Sequence, residues 1–104
     1  MKLEIRGRHV QITDKLRAQV ERRLSFALDR FLERIRIVRL KVGDVNGPRG
    51  GLDKHCQLAI SFTHSSPITL EAYGLTVQGA IDRVSSKVGN LIARHFGRNR
   101  NRRR

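Results

Sequence analysis

Tryptophan is absent from the 104-residue chain, cysteine and tyrosine occur once each, and only nine residues are acidic. Each shortage removes a class of chemistry. A lone cysteine makes no internal disulfide, which fits a reducing cytoplasm as the expected location. Cys56 adjoins His55, but neighbours on a strand point to opposite faces and do not chelate one metal, so Cys56 reads as a small buried hydrophobe. The four histidines, His9, His55, His64 and His95, fall in separate elements. The sparse carboxylates show no pair at the spacing that general acid–base catalysis uses, and no serine or threonine carries a nucleophile motif. No catalytic residue, metal, cofactor or small-molecule substrate is therefore expected, and the chain does not read as an enzyme. No apolar run approaches the ~20 residues of a membrane span, and the opening MKLEIRGRH lacks the apolar stretch of a secretion signal. A membrane surface is the least expected partner.

What the chain has in abundance is positive charge: 22 Lys and Arg against nine Asp and Glu give a net +13. Five of the arginines (Arg98, Arg100, Arg102, Arg103 and Arg104) sit in the tail GRNRNRRR; removing them from +13 still leaves +8 on the body. A charge of that size spread over a small domain calls for a polyanionic partner.

Hydrophobic residues make up 38% of the chain and recur regularly enough to predict a packed core. Leu3 and Ile5 alternate with charged residues in a first strand ending near Gly7. A helix follows, capped by Thr13 or Asp14, with Leu16, Val20, Leu24, Ala27, Leu28 and Phe31 on one face through about Leu32. Alternation predicts strands over 35–42, 54–63 and 68–73, the last stopped by Gly74. Thr76 is placed to cap a second helix with Val77, Ala80, Ile81, Val84, Val88, Leu91 and Ile92 inward, running to about Phe96 before Gly97 breaks it. The order is β-α-β-β-β-α. One helix between the first two strands implies a parallel crossover, and the short later connections imply an antiparallel meander. The expected fold is an α+β two-layer sandwich, both helices on one face of a four-stranded mixed sheet. Residues 1–97 form its single domain and 98–104 a disordered Arg-rich tail.

The segment VGDVNGPRGGLDKHC, residues 42–56, holds four of the nine glycines. A phosphate-binding loop must carry Lys-Ser/Thr and lead into a helix N-terminus; this one does neither and enters a strand. It reads as a turn, with Asn46-Gly47 and Gly50-Gly51 supplying positive φ.

At 100° per residue, Lys15, Arg22 and Arg30 of the first helix lie opposite its apolar stripe, with Arg23 at the flank; Arg83, Lys87 and Arg94 line up within about 40° on the second. Two neighbouring helices would then present one continuous basic surface, extended by Arg98 and Arg100. A solvated charged face is the plainer alternative, but few acids alternate with these bases as i,i+4 partners. Phe26 projects among the same bases, where it can stack on an unpaired RNA base or simply be an exposed apolar side chain. The outer sheet face carries Lys2, Arg6, Arg39 and Lys41, interrupted by Glu4 and Glu71. It ranks behind the helices because those acids can pair locally.

The stretch EAYGLTVQGAIDRVSSKV, residues 71–88, resembles the short ribosome hibernation-promoting factors, also called ribosome-associated inhibitors or subunit-interface proteins. Their strand ending in E-x-x-G, near A-A-I-D helix start and following D-K-L correspond here to Glu71 and Gly74, Gly79-Ala80-Ile81-Asp82, and Ser86-Lys87-Val88. LEIRGRHVQITDKLRAQVERRL resembles the family's first strand, I-T cap and first helix, and GDVNGPRGGLDKHCQLAI looks like a divergent branch with a glycine-rich hairpin. The resemblance spans nearly the whole chain. It implies binding in the decoding region of the small ribosomal subunit, with basic residues of both helices on ribosomal RNA and the body in the mRNA and tRNA sites, silencing idle ribosomes under stress without catalysis. Arg23, Lys87 and Arg94 match basic positions of the family; Phe26 and Asn90 stand where the family usually has Lys or Arg. The long forms' dimerising domain is lacking, so any pairing of ribosomes is expected to need another factor or the ribosome itself.

Two other readings compete. A general double-stranded RNA-binding module has a related layer arrangement, but the lysine cluster it carries at the start of its last helix is missing from LTVQGAID. An enzyme built on His55, Cys56 and the glycine segment is the third.

Overall fold

The computed structural model describes residues 2–44 and 54–102, with side chains of the last helix described through Phe96. Four strands, β1 (Lys2–Arg8), β2 (Ile35–Asp44), β3 (Lys54–Phe62) and β4 (Ile68–Gly74), form one sheet in the order β1-β2-β3-β4. β1 and β2 are parallel, joined by helix α1 (Asp14–Leu28); the other two pairs are antiparallel. Helix α2 (Val77–Arg102) follows β4. This is the expected α+β architecture.

Period-two alternation turns Val38, Leu40, Val42, Cys56, Leu58, Ile60 and Phe62 to one side of the sheet, where Val20, Leu24 and Leu28 of α1 and Ala80, Ile81, Val84, Val88 and Ile92 of α2 meet them in a single core. Both helices therefore cover the same face. Leu24, Val84 and Val88 are wholly removed from solvent; burying a side chain of this kind stabilises the fold by about 1.5–3 kcal/mol.

Both helix starts follow from their hydroxyl caps. Thr13 accepts from the Leu16 amide at 3.1 Å, and Thr76 from the Gly79 amide at 2.9 Å, each satisfying an amide that the first turn leaves without a helical partner. The helix ends differ from expectation. No glycine stands ready to cap α1, and its α-helical part stops at Leu28, tightening into a 3₁₀ segment (Asp29–Arg34) that hands the chain to β2. Phe31 and Leu32 stay packed on the core from that segment. Nor does α2 end at Gly97: helical backbone continues to Arg102, since one glycine costs only ~1 kcal/mol and no proline follows. The glycine-rich turn, with Asn46, Gly47, Gly50 and Gly51, lies outside the described residues.

Gly74 fixes how closely β4 meets α2. A Cβ there would sit 2.6 Å from the Ala80 amide nitrogen and 3.1 Å from the Ala80 Cα, so only glycine lets the helix start against the strand.

Candidate nucleic-acid interface

The two helices run side by side in the same direction. Arg23 meets Asp82, the Ala27 carbonyl lies 3.6 Å from where a Cβ on Gly89 would stand, and Phe31 stacks on Phe96 with ring centroids 5.4 Å apart. These contacts fix which flank of each helix faces the other. On α1, Arg23, Phe26, Lys15 and Arg22 follow one another over an arc of roughly 100° that opens from the α2 side onto solvent, while Asp14 and Glu21 lie on the far flank. Arg30, in the 3₁₀ segment, holds its guanidinium 5.7 Å from the centre of the Phe31 ring. Lys15, Arg22 and Arg30 are exposed, and Phe26 is 83% exposed with no ring or cation partner among the described residues.

On α2 the residues facing α1 are Asp82, Gly89 and Phe96, which places Arg83, Lys87 and Arg94 on the opposite flank, beside β4. Arg83 Nη1 donates to the Tyr73 carbonyl at 3.1 Å, and Arg94 shares a shallow cleft with Ile68, Leu91 and His95. The single continuous basic stripe read from the sequence is thus two rails, one on α1 and one on the far side of α2. Between them runs a neutral strip of Ser86, Asn90 and Ala93, about one helix diameter (~10 Å) wide. A helical wheel gives angles within a helix; it does not say which flank a neighbour takes.

Arg23 departs furthest from a free phosphate ligand. Its Nε lies 3.3 Å from Asp82 Oδ1 without the alignment of a hydrogen bond, and Nη2 reaches the Asp82 carbonyl at 3.5 Å. Asp82 also accepts from Gln78 Nε2 at 3.1 Å. Arg23 and Arg83 therefore tie elements together, whereas Lys15, Arg22, Lys87 and Arg94 make no ion pair among the described residues. The side chains of Arg98 and Arg100 lie outside the described residues.

The residues of a possible enzyme are dispersed. Cys56 is fully buried, and burial pushes its thiol from an ordinary 9.0 up to about 12, far from a reactive thiolate. His55 lies on the other sheet face with Nε2 2.8 Å from Glu71 Oε2. Among the described residues no group of three His, Cys, Asp or Glu is placed to hold a metal, and no helix is long and apolar enough to cross a membrane.

Comparison with known proteins places the chain in a family. Residues 3–100 match the sequence model of the family described as sigma 54 modulation protein / S30EA ribosomal protein. The chain belongs to this family. Its members are non-catalytic, ribosome-associated factors, so the chain is no enzyme. Solved structures share this fold, two of them as follows. The Thermus thermophilus Protein Y N-terminal domain superimposes with a TM-score of 0.75 at 19% identity, covering 91% of this chain and 99% of that one. A ribosomal subunit interface protein from Coxiella burnetii gives 0.77 at 18% identity, covering 93% and 99%. No curated protein matches the sequence.

Proposed function

We propose that the chain is a cytoplasmic hibernation factor that lies against small-subunit ribosomal RNA with its helix layer and thereby occludes the mRNA and tRNA sites. The observation that carries this reading is the set of exposed cations with no ion-pair partner among the described residues on the two rails, Lys15 and Arg22 on α1 and Lys87 and Arg94 on α2, on a protein of net charge +13. Unpaired cations on a rigid surface release counterions from phosphates on docking, and the binding constant then falls steeply with salt. Arg30 and the tail arginines Arg98 and Arg100 extend the same field. Phe26, at the edge of the α1 rail, is placed to stack on an unpaired base. Arg83 acts as a positioning residue through the Tyr73 carbonyl, and Asp82 draws Arg23 away from the α1 rail.

Ribosome co-sedimentation over a salt series tests the reading. Lys87→Glu/Arg94→Glu and Lys15→Glu/Arg22→Glu should each weaken association with the small subunit and flatten its salt dependence. Wild-type binding by both variants removes the helices from the account. An isolated RNA duplex serves as the control, and preference for it over ribosomes would instead favour a general duplex-binding module.

A further inference from the structure

Among the described residues, helices cover one side of the sheet only, and the other side is open. Strand register lines up three rows across it: Arg8, Gly43, His55 and Tyr73; Arg6, Lys41, Gln57 and Glu71; Glu4, Arg39, Ala59 and Thr69. Lys2 extends the basic half at one end. The chemistry is segregated by strand. β1 and β2 contribute five exposed cations, Lys2, Arg6, Arg8, Arg39 and Lys41, while the β3–β4 corner carries two rings, His55 and Tyr73, with centroids 4.8 Å apart and planes tilted by 43°. Between Arg8 and the two rings, Gly43 leaves the face low.

Both acids of the face are engaged. Glu4 Oε1 lies 3.5 Å from Arg39 Nε, and Glu71 is held by His55 at 2.8 Å. Lys2, Arg6, Arg8 and Lys41 keep no such partner among the described residues. Tyr73 is 43% exposed although it sits on a regular strand.

We propose that this bare sheet face is a second nucleic-acid surface, which takes a single RNA strand across the sheet with phosphates on the β1–β2 cations and a base against Tyr73. Gly43 lets the strand pass close to the sheet, and three inter-strand steps of ~4.8 Å separate the Arg8 edge from the Tyr73 edge. An unpaired base offers its π-face to a ring; a duplex hides that face in its stack, so the aromatic corner selects single strands. The surface is on the far side of the domain from the helix rails, which makes the protein two-sided toward RNA. This does not depend on the helix layer binding ribosomal RNA.

Tyr73 supplies the readout, being the only tyrosine in a chain without tryptophan. Its emission is followed as a twelve-nucleotide oligouridylate is titrated at low salt. Quenching that saturates is expected. Arg6→Glu/Lys41→Glu should weaken binding about tenfold or more and flatten the salt dependence, and the neutral Arg6→Gln/Lys41→Gln should lose less. Tyr73→Ala, followed through labelled RNA, should weaken it about tenfold, the worth of one stacked base. Lys87→Glu/Arg94→Glu, which breaks the helix rail, should leave the quenching intact, so the two surfaces fail separately. Unchanged emission at saturating RNA, wild-type affinity in both Arg6/Lys41 variants, or loss of quenching in the helix variant overturns the proposal.

Discussion

Arg23 on α1 and Asp82 on α2 stand with Nε and Oδ1 3.3 Å apart, the one ionic tie between the helices among the described residues. Both side chains remain more than two-fifths exposed, so the pair contributes at most ~1 kcal/mol. Its larger effect is on charge, because it neutralises a guanidinium that would otherwise belong to the α1 rail. Asp82→Asn should lower stability by no more than ~1 kcal/mol while strengthening ribosome association. Salt-dependent co-sedimentation should show a slope steeper by about one phosphate contact. Unchanged or weaker association in this variant would mean that Arg23 faces no phosphate.

Gly74→Ala places a methyl group against the backbone of Ala80, which has no side-chain freedom with which to yield. The substitution should cost ~1–3 kcal/mol through displacement of the α2 start. Thermal unfolding should fall by ~4–8 °C for each kcal/mol lost in a domain of this size. A melting temperature equal to the wild type would show that β4 and α2 separate easily.

Element order was legible in the sequence because alternation and helical spacing are local: the Val38-Leu40-Val42 and Cys56-Leu58-Ile60 patterns and the Thr76 cap stand as read, and of the two candidates at the start of α1 the structure selects Thr13 over Asp14. The interface was less legible. Arg23 and Arg83 have the same sequence character as Lys87 and Arg94, yet tertiary packing sets Asp82 beside the first and the Tyr73 carbonyl beside the second. The division into two rails depends on which flank of α2 meets α1, a choice made by Gly89 and Phe96 together. Arg8 was missed on the sheet face because Gly7 looked like a strand end, whereas pairing with β2 carries β1 through Arg8. Tyr73 gained meaning only from its register opposite His55.

Cys56 makes stability pH-dependent in a known direction. The unfolded thiol ionises near 9.0 and the buried one near about 12, so between these values the unfolded chain holds fewer protons and folding weakens as pH rises. Below pH 9 the contribution is complete. Urea unfolding at pH 8 and 10.5 should show a larger loss for the wild type than for Cys56→Ala; equal losses would contradict the buried neutral thiol. At pH 8 the native protein should also resist thiol reagents that label it in urea.

Phe26 separates packing from binding. At 83% exposure its truncation to alanine should change stability by no more than ~0.5 kcal/mol. If the ring stacks on a ribosomal base, the same truncation weakens association by ~1–3 kcal/mol with the salt slope unchanged, since no phosphate contact is lost. Association equal to the wild type assigns Phe26 to bare surface.

Chemical footprinting of ribosomal RNA tests the central claim most directly, because it reads where the helix rails lie. With saturating protein, protections should cluster on small-subunit RNA lining the mRNA and tRNA sites, and they should vanish together in a combined Lys15, Arg22, Lys87 and Arg94 charge-reversal variant. Protections confined to the large subunit, or a small-subunit footprint that survives those four reversals, would contradict it.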